Sequence, residues 1–450
     1  MHIAPSSPLK HDQYGIKFHI GRVFHLSFGF ISAKMELDSR KVGIMMYIKR
    51  DAEEAINKLV SMFKVVLITG PRQVGKSTIL KVLYGEDYEY VTLDDINELE
   101  IAKTDPKLFF LNHPGKLIID EVQYSPELFK EIKRIVDQWD EMGRFILTGS
   151  QTFSLMQNVS ESLAGRIGIM ELKPLSTREI LKQKISGPFM PDMGLIQRQE
   201  SSTSYQAIWQ IIHRGALPEL YRNPELDWEM FYTAYVSTFI QRDIRQLTAI
   251  QDLNVFSRFI TVLAARTSQE LNYSSISQEV GVDQKTIKSW IGILEASGIV
   301  FILHTFSNNL LKRVTKAPVL YFFDTGLVAY LGRWTTAATL QNGAFSGAIL
   351  ENYVISEIMK SYSNTGKTNY PLYFYKDKDQ IEIDLIIEEG DKLYPIEIKQ
   401  SASPNLSMTK NMSVLEKAEG FSIGIKTILA QVEKAYLLSN DTLVYPISEI

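Results

Sequence analysis

Cysteine is absent from the 450 residues, so the chain has neither a disulfide framework nor a thiolate zinc site. A thiol-free chain fits a reducing interior, and the expected location is cytoplasmic. Charge of one sign is scarce as well. With a net charge of −4 there is no global basic field, and any nucleic-acid contact has to come from a local patch. Long apolar runs are missing too: all fall well short of the ~18 residues that a membrane helix requires, and no span is expected. What is present is ordinary for a globular protein, 45% hydrophobic and 22% charged residues. The length suits about three domains of roughly 150 residues each.

The first 45 residues differ in character from the rest. Val23 to Ala33 is weakly apolar behind Lys17, His19 and Arg22, a faint imitation of a signal peptide that His25 and Ser27 interrupt. Regular apolar periodicity begins only near Met46. Residues 1–45 therefore read as an extension, with Met45 or Met46 opening the folded protein and MYIKRDAEEAINKLVSMF forming a helix before the first strand.

Leu67 to Leu80 reads LITGPRQVGKSTIL. Here Gly70, Gly75, Lys76 and Ser77 fit G-x-x-x-x-G-K-[ST] between an apolar strand and a helix. The loop Gly70, Pro71, Arg72, Gln73, Val74, Gly75, Lys76, Ser77 and Thr78 would wrap phosphates. Backbone N–H groups and the helix N-terminus face the oxygens, Lys76 reaches the β and γ groups, and Ser77 ligates Mg²⁺. KLIIDEV supplies a second anchor: Asp120 completes the metal shell and Glu121 polarises the attacking water. Further strands are expected within Tyr88–Asp95, Lys116–Val122, Arg144–Ser150 and Ile167–Leu175, with helical patterns such as PELFKEIKRIVDQW between several of them. That alternation specifies an α/β fold, a parallel sheet with helices on both faces.

In order, GPRQVGKST, LIIDEVQ, LTGSQ and SLAGR resemble the AAA-type P-loop ATPases of bacteria and archaea that carry a conserved C-terminal region of unassigned role. The resemblance extends through most of residues 46–400. It implies an Mg²⁺-dependent ATPase, with Ser150 sensing the γ-phosphate and Arg166 stabilising charge. Arg166 could serve its own chain or a neighbour's nucleotide in a homo-oligomer. GALPELY (Gly215 to Tyr221) and TFIQRDI (Thr238 to Ile244) carry the likeness further. Arg242 and Asp243 could reach the nucleotide or stitch two domains. Between Leu181 and Asn223 the pattern loosens into KISGPFMPDMG and RQESSTS, which reads as a hinge or lid.

The next block, YSSISQEVGVDQKTIKSWIGILEASGIVFIL, reads as a winged helix-turn-helix. Ser274 or Ser275 would cap a short helix, Gly281 would turn the chain, and Asp283 would cap a second helix burying Ile287, Trp290, Ile291 and Leu294. Gly298 stops that helix. Lys285, Lys288 and Ser289 form a thin basic face that could meet DNA, although a helix-turn-helix used only for packing would look the same.

Near the C-terminus, QIEIDLIIEEGDKLYPIEIKQ alternates with period two around the turn Glu389 to Lys392. Counting outward from Gly390 and Asp391 pairs Asp384 with Glu397 and Glu382 with Lys399 on one face. Ile383, Leu385, Ile396 and Ile398 take the other. Opposed carboxylates destabilise a sheet unless a cation lies between them. The pattern resembles the PD-(D/E)XK nuclease motif, without its Pro before the Asp. The resemblance implies that Asp384 and Glu397 hold Mg²⁺, that Lys399 orients water or stabilises developing charge, and that Glu351, with Glu357 as second choice, adds a further acid. The other reading is a solvated face laced by Glu382 and Lys399.

The expected organisation is thus an extension (1–45), an AAA-type ATP-binding domain (46–185), a helical lid or linker (186–232), a winged helix-turn-helix region (233–335) and a small α/β nuclease-like domain (340–450). Its expected work is Mg²⁺-dependent ATP hydrolysis coupled to an unknown protein partner or to DNA. An ATP-regulated nuclease and a non-catalytic nucleotide switch are the alternatives.

Overall fold

The computed structural model describes residues 47–150, 163–183, 187–197, 203–239, 253–307, 313 and 316–450, all within one compact unit, Met45–Ile450. The 1–45 extension, Arg242 and Asp243 lie outside the described residues. Five short strands form a parallel sheet: β1 (Val65–Thr69), β2 (Glu89–Thr92), β3 (Leu117–Asp120), β4 (Phe145–Thr148) and β5 (Ile167–Glu171), in the order β2-β3-β4-β1-β5. Successive strand residues point to opposite faces, and here both faces are apolar. Val66, Ile68, Ile118 and Ile146 enter one core, while Val65, Leu67, Leu117, Ile119, Phe145 and Leu147 enter another.

Helices cover both faces, which is why these strands read as continuous apolar runs. On one side α1 (Glu53–Met62) and α2 (Lys76–Tyr84) contribute Ile56, Ile79 and Leu80. On the other, α3 (Ile96–Thr104), α4 (Pro106–Asn112) and α5 (Leu128–Gln138) contribute Ala102, Phe109 and Ile132. Helix α1 is shorter than the sequence suggested: Tyr47 to Arg50 lie outside it, and Arg50 turns inward.

Helix α6 (Thr177–Leu181), opened by a Ser176–Glu179 capping box, leads into the segment read as loose, where Gly187 to Asp192 lie outside any helix, as expected, but α7 (Tyr205–Arg214) and α8 (Pro218–Arg222) are helical; α9 (Trp228–Phe239) follows. Gly215 joins α7 to α8 at φ 92°, and a Cβ there would lie 2.0 Å from the Tyr232 hydroxyl, so only glycine fits. Next come α10 (Leu253–Ala265), β6 (Gln269–Glu270), α11 (Tyr273–Val280), α12 (Gln284–Ala296), β7 (Val300–Leu303) and β8 (Val319–Phe322), with the antiparallel strands ordered β6-β8-β7. Helix α12 buries Ile287, Trp290, Ile291 and Leu294 behind an Asp283 cap, as its spacing requires, and leaves Lys285, Lys288 and Ser289 exposed. The cap of α11 is Asn272 rather than Ser274 or Ser275; its carboxamide oxygen accepts the Ser275 N–H at 3.0 Å.

The chain continues through α13 (Thr325–Leu331), α14 (Ala337–Asn342) and α15 (Ser346–Ser363) into a mixed sheet. Its strands are β9 (Leu372–Lys376), β10 (Glu382–Glu389), β11 (Lys392–Lys399), β12 (Ser422–Ile423), β13 (Lys426–Ala430), β14 (Tyr436–Ser439) and β15 (Thr442–Pro446). The order is β14-β15-β13-β11-β10-β9, with β12 beside β11. Among the described residues no helix is long and apolar enough to cross a membrane.

Helix α15 is tied to the parallel-sheet side by buried polar contacts. The Thr177 N–H donates to Glu357 Oε2 at 2.6 Å, and Lys360 Nζ donates to Glu357 Oε1 at 2.7 Å and to Leu175 O at 3.0 Å. Glu357 therefore faces α6 and takes no part in the C-terminal acidic cluster. Both side chains are buried, so removing one partner strands the other's charge. Lys360→Met is expected to cost about 3–5 kcal/mol, measured as a fall in the urea midpoint, and Lys360→Met/Glu357→Gln should recover most of the loss. A double variant no more stable than the single one would assign the loss to packing instead.

Candidate functional site

The parallel strands all end at one edge, and β1 runs from there into the phosphate-binding loop. Backbone demands explain its composition: Gly70 has φ 135°, Gln73 62° and Gly75 93°. A Cβ on Gly70 would lie 2.2 Å from Leu172 O, so a larger residue would push the loop off its support. Pro71 and Val74 are buried, whereas Gln73 and Thr78 are exposed and Arg72 is half-buried. Lys76 opens α2, 7% exposed, with Nζ donating to Gly70 O at 2.9 Å and Pro71 O at 2.8 Å. Its ammonium thus lies at the loop, beside the unsatisfied N–H groups of a helix start.

One step along α2, Ser77 Oγ donates to Asp120 Oδ2 at 2.8 Å. This bond joins the two residues expected to hold a metal, although they lie 43 positions apart. A hydroxyl and a carboxylate are hard oxygen donors of the kind Mg²⁺ takes. Asp120 also accepts bonds from the Tyr90 hydroxyl on β2 and the Thr148 hydroxyl on β4. Glu121 follows in the left-handed region at φ 57°, uncommon for a residue with a side chain, and its carboxylate accepts from Gln123 Nε2. Ser150 stands just past β4, beside the end of β1, where the Gly149 N–H bonds Ile68 O at 3.3 Å. Its hydroxyl is buried with no partner among the described residues, leaving unused capacity at the place where a terminal phosphate is expected.

Arg166 does not join this group. It immediately precedes β5, which is parallel to β1 with Ile167 beside Val65. It therefore lies at the amino edge of the sheet, whereas the loop leaves the carboxyl edge. There it bonds Asp137 Oδ1 at 2.5 Å and is 37% exposed. In its own chain Arg166 is a surface ion pair.

The C-terminal hairpin forms in the expected register, from Glu389 opposite Lys392 to Leu385 opposite Ile396, and the ladder then stops. In place of the next backbone acceptor, Asp384 Oδ2 accepts the Ile398 N–H at 2.7 Å. A register shift against β9 between Ile383 and Ile386 changes the alternation. As a result Ile383 packs with Ile386 and Leu393 in one cluster, whereas Leu385, Ile396 and Ile398 pack in another, contrary to simple counting.

Glu351, Asp384, Glu397 and Lys399 converge at the place where β10 and β11 part. Lys399 Nζ lies 2.5 Å from Glu397 Oε1 and 3.7 Å from Asp384 Oδ2, so the chain itself supplies a cation between the two carboxylates. The Tyr321 hydroxyl on β8 donates to Glu351 Oε1 at 2.8 Å. Burial raises Glu351 well above the usual carboxylate range, and the Asp384 charge adds to it. Burial also raises Asp384. Glu397 is pushed up to about 7 by burial and then by Asp384. Its Oε2 is buried without a partner among the described residues, although no three His, Cys, Asp or Glu side chains there are grouped to hold a metal.

Residues 62–181 match the family described as an AAA domain. The parallel-sheet domain is of the AAA type. Residues 205–338 and 346–450 match two further families, each described as a domain of unknown function. Uncharacterised proteins of Mycobacterium bovis and Mycobacterium tuberculosis are each 26% identical over 425 residues, covering 94% of this chain and 89% of theirs. An uncharacterised protein of Methanocaldococcus jannaschii is 22% identical over 346 residues, 72% of each chain. Among solved structures, the Walker-type ATPase of Pyrococcus abyssi shares 15% identity at a TM-score of 0.41, covering 63% of this chain and 96% of its own.

Within the AAA-type domain, no motif or spacing points to Tyr90 or Thr148 at Asp120. Both contacts depend on β2 and β4 flanking β3, and strand order is not written in the motif. The same holds for Tyr321, which comes from β8 to a cluster otherwise carried by α15, β10 and β11.

Proposed function

We propose that the protein is an Mg²⁺-dependent ATPase whose nucleotide state governs what its C-terminal region engages. The observation that carries this reading is the Ser77–Asp120 hydrogen bond beside Lys76, with the Ser150 hydroxyl, which has no partner among the described residues, at the next strand end. Mg²⁺, held by Ser77 and Asp120, would neutralise charge on the β and γ phosphates. Lys76 would exchange its two backbone carbonyls for phosphate oxygens. Glu121 would orient water, and Ser150 would donate to the terminal phosphate. Since Arg166 lies at the far edge of its own sheet, a role for it at a phosphate requires a neighbouring copy, and a homo-oligomer follows from that reading. The succession helix, strand, helix, helix, strand, strand from α10 to β8 supports a winged helix, with Lys285 and Lys288 available to a DNA backbone. Mg²⁺-dependent release of phosphate from ATP by the full-length protein tests the main reading, and a folded protein that neither binds nor hydrolyses ATP overturns it.

A second reading is favoured by the convergence of Glu351, Asp384, Glu397 and Lys399: a divalent-metal site of nuclease type, in which the metal would activate water against a phosphodiester. Asp384 and Glu397 would bind the metal, Glu351 would assist, and Lys399 would move from the carboxylates to the scissile phosphate. In full-length Asp120→Ala protein, which lacks the ATP-site anchor, Mn²⁺ is expected to raise the melting temperature. The stabilisation should reach about 2.7 kcal/mol at a hundredfold excess over the dissociation constant, and Asp384→Asn should erase it. A melting temperature indifferent to Mn²⁺, or a response that survives Asp384→Asn, would leave Lys399 as the only cation of a structural ion-pair cluster. Nicking of supercoiled plasmid by wild type but not by Lys399→Ala would add catalysis to binding.

A further inference from the structure

The segment just before α1 sends a side chain to the back of the phosphate loop. Arg50 is 3% exposed, and each of its guanidinium nitrogens donates to a different element. Nη1 reaches Val74 O at 2.8 Å, Nη2 reaches Lys173 O at 2.7 Å and Nε reaches Glu179 Oε1 at 2.9 Å. The Glu179 carboxylate is held in turn by the Asp51 and Ser176 N–H groups, both at 2.8 Å. Arg50 precedes the residues matched by the AAA family, 62–181, and belongs to none of the nucleotide motifs.

We propose that Arg50 is a positioning residue of the nucleotide site, holding the Val74–Gly75 peptide in the orientation that the phosphates of a nucleoside triphosphate require. A peptide unit is planar and trans, so its C=O and N–H point in opposite directions. Fixing the Val74 carbonyl on Arg50 therefore turns the Gly75 N–H away from Arg50, toward the inside of the loop. Gly75, at φ 93°, has no side chain to restrict this peptide and would otherwise sample it freely. Holding it beforehand removes an ordering cost from binding. If Arg50 served only to neutralise Glu179, one nitrogen would be enough. The other two grip carbonyls of the loop and of the segment after β5, and that same segment supports the start of the loop through the close approach of Gly70 to Leu172 O. A planar fork presents donors on three separate nitrogens in fixed directions, whereas an ammonium presents all its donors from a single atom.

The proposal rests on the ATP-binding reading, and the experiment separates the two. Full-length wild type, Lys76→Ala, Arg50→Lys and Arg50→Met/Glu179→Gln are compared by equilibrium dialysis of Mg·ATP, by the melting shift that ATP produces, and by steady-state turnover. The two Arg50 variants leave no unpaired buried charge, so both should fold. The expected result is an ATP dissociation constant raised about tenfold, the size of one lost charge-assisted hydrogen bond. The ATP-induced melting shift should shrink, and KM should rise more than kcat falls. Glu179→Gln is added as a control whose folding is checked by its urea midpoint, since it leaves the buried Arg50 charge without its carboxylate; folded, it keeps Arg50 on both carbonyls and should bind ATP within about threefold of wild type. Wild-type affinity in a folded Arg50 variant overturns the proposal. So does unfolding of both variants that saturating Mg·ATP does not reverse, since Arg50 would then be a stability residue. Wild type behaving like Lys76→Ala would instead remove the ATP reading itself.

Discussion

Lys76→Ala is expected to abolish ATP binding and turnover in a protein that still folds. Lys76 is buried at the first position of α2, and its ammonium bonds Gly70 O and Pro71 O across the loop. Truncation removes the ammonium proposed to meet the β and γ phosphates, while the glycine conformations and the Leu172 contact that shape the loop remain. Losing a preorganised cation at transferring phosphate should lower turnover by a factor on the order of 10²–10³ or more, and ATP retention in dialysis should fall to background. The unfolding midpoint should move little by comparison. Unchanged ATP affinity and hydrolysis in a folded variant would end the ATPase reading.

Glu121→Gln should separate binding from chemistry. The substitution preserves shape and keeps an acceptor for Gln123 Nε2, while Asp120 retains its bonds from Ser77, Tyr90 and Thr148. Mg·ATP should therefore still bind, and the ATP-bound state should accumulate. What disappears is the carboxylate proposed to take or orient the proton of the attacking water, an effect on the order of 10²–10⁴ in rate. Single-turnover hydrolysis beside a binding titration measures both. Wild-type turnover by this variant would move the role to another group at the carboxyl edge, and a proportional loss of binding would show that Glu121 shapes the loop instead.

The two variants test features that were legible because they are local. The phosphate loop needs glycine at its left-handed positions and a lysine at the helix start, all within a few consecutive residues. The strands of the AAA-type sheet show as short apolar runs because both faces are buried. The hairpin register from Glu389 and Lys392 outward follows from the centre of its turn, and the Asp283 cap follows from its place just before an apolar helical stripe. In each case the interacting groups are neighbours in the chain, so spacing alone brings them together.

Other features depended on which elements meet. Tyr90 and Thr148 reach Asp120 because β2 and β4 lie on either side of β3. Arg166 resembled a residue of the nucleotide site, but a parallel β5 begins at the opposite edge from the loop, so one chain holds the two apart. Glu351 and Glu357 lie on the same helix six positions apart, and six residues turn the helix by about 240°. One therefore reaches the hairpin while the other is buried against α6. A single irregularity beside β9 moved Ile383 to the opposite cluster, since strand alternation has no tolerance for one extra residue. Arg50 had no motif at all: its three bonds run to Val74, Lys173 and Glu179, up to 129 positions away, and only the folding of α6 and the loop onto the same segment places their acceptors within reach of one guanidinium.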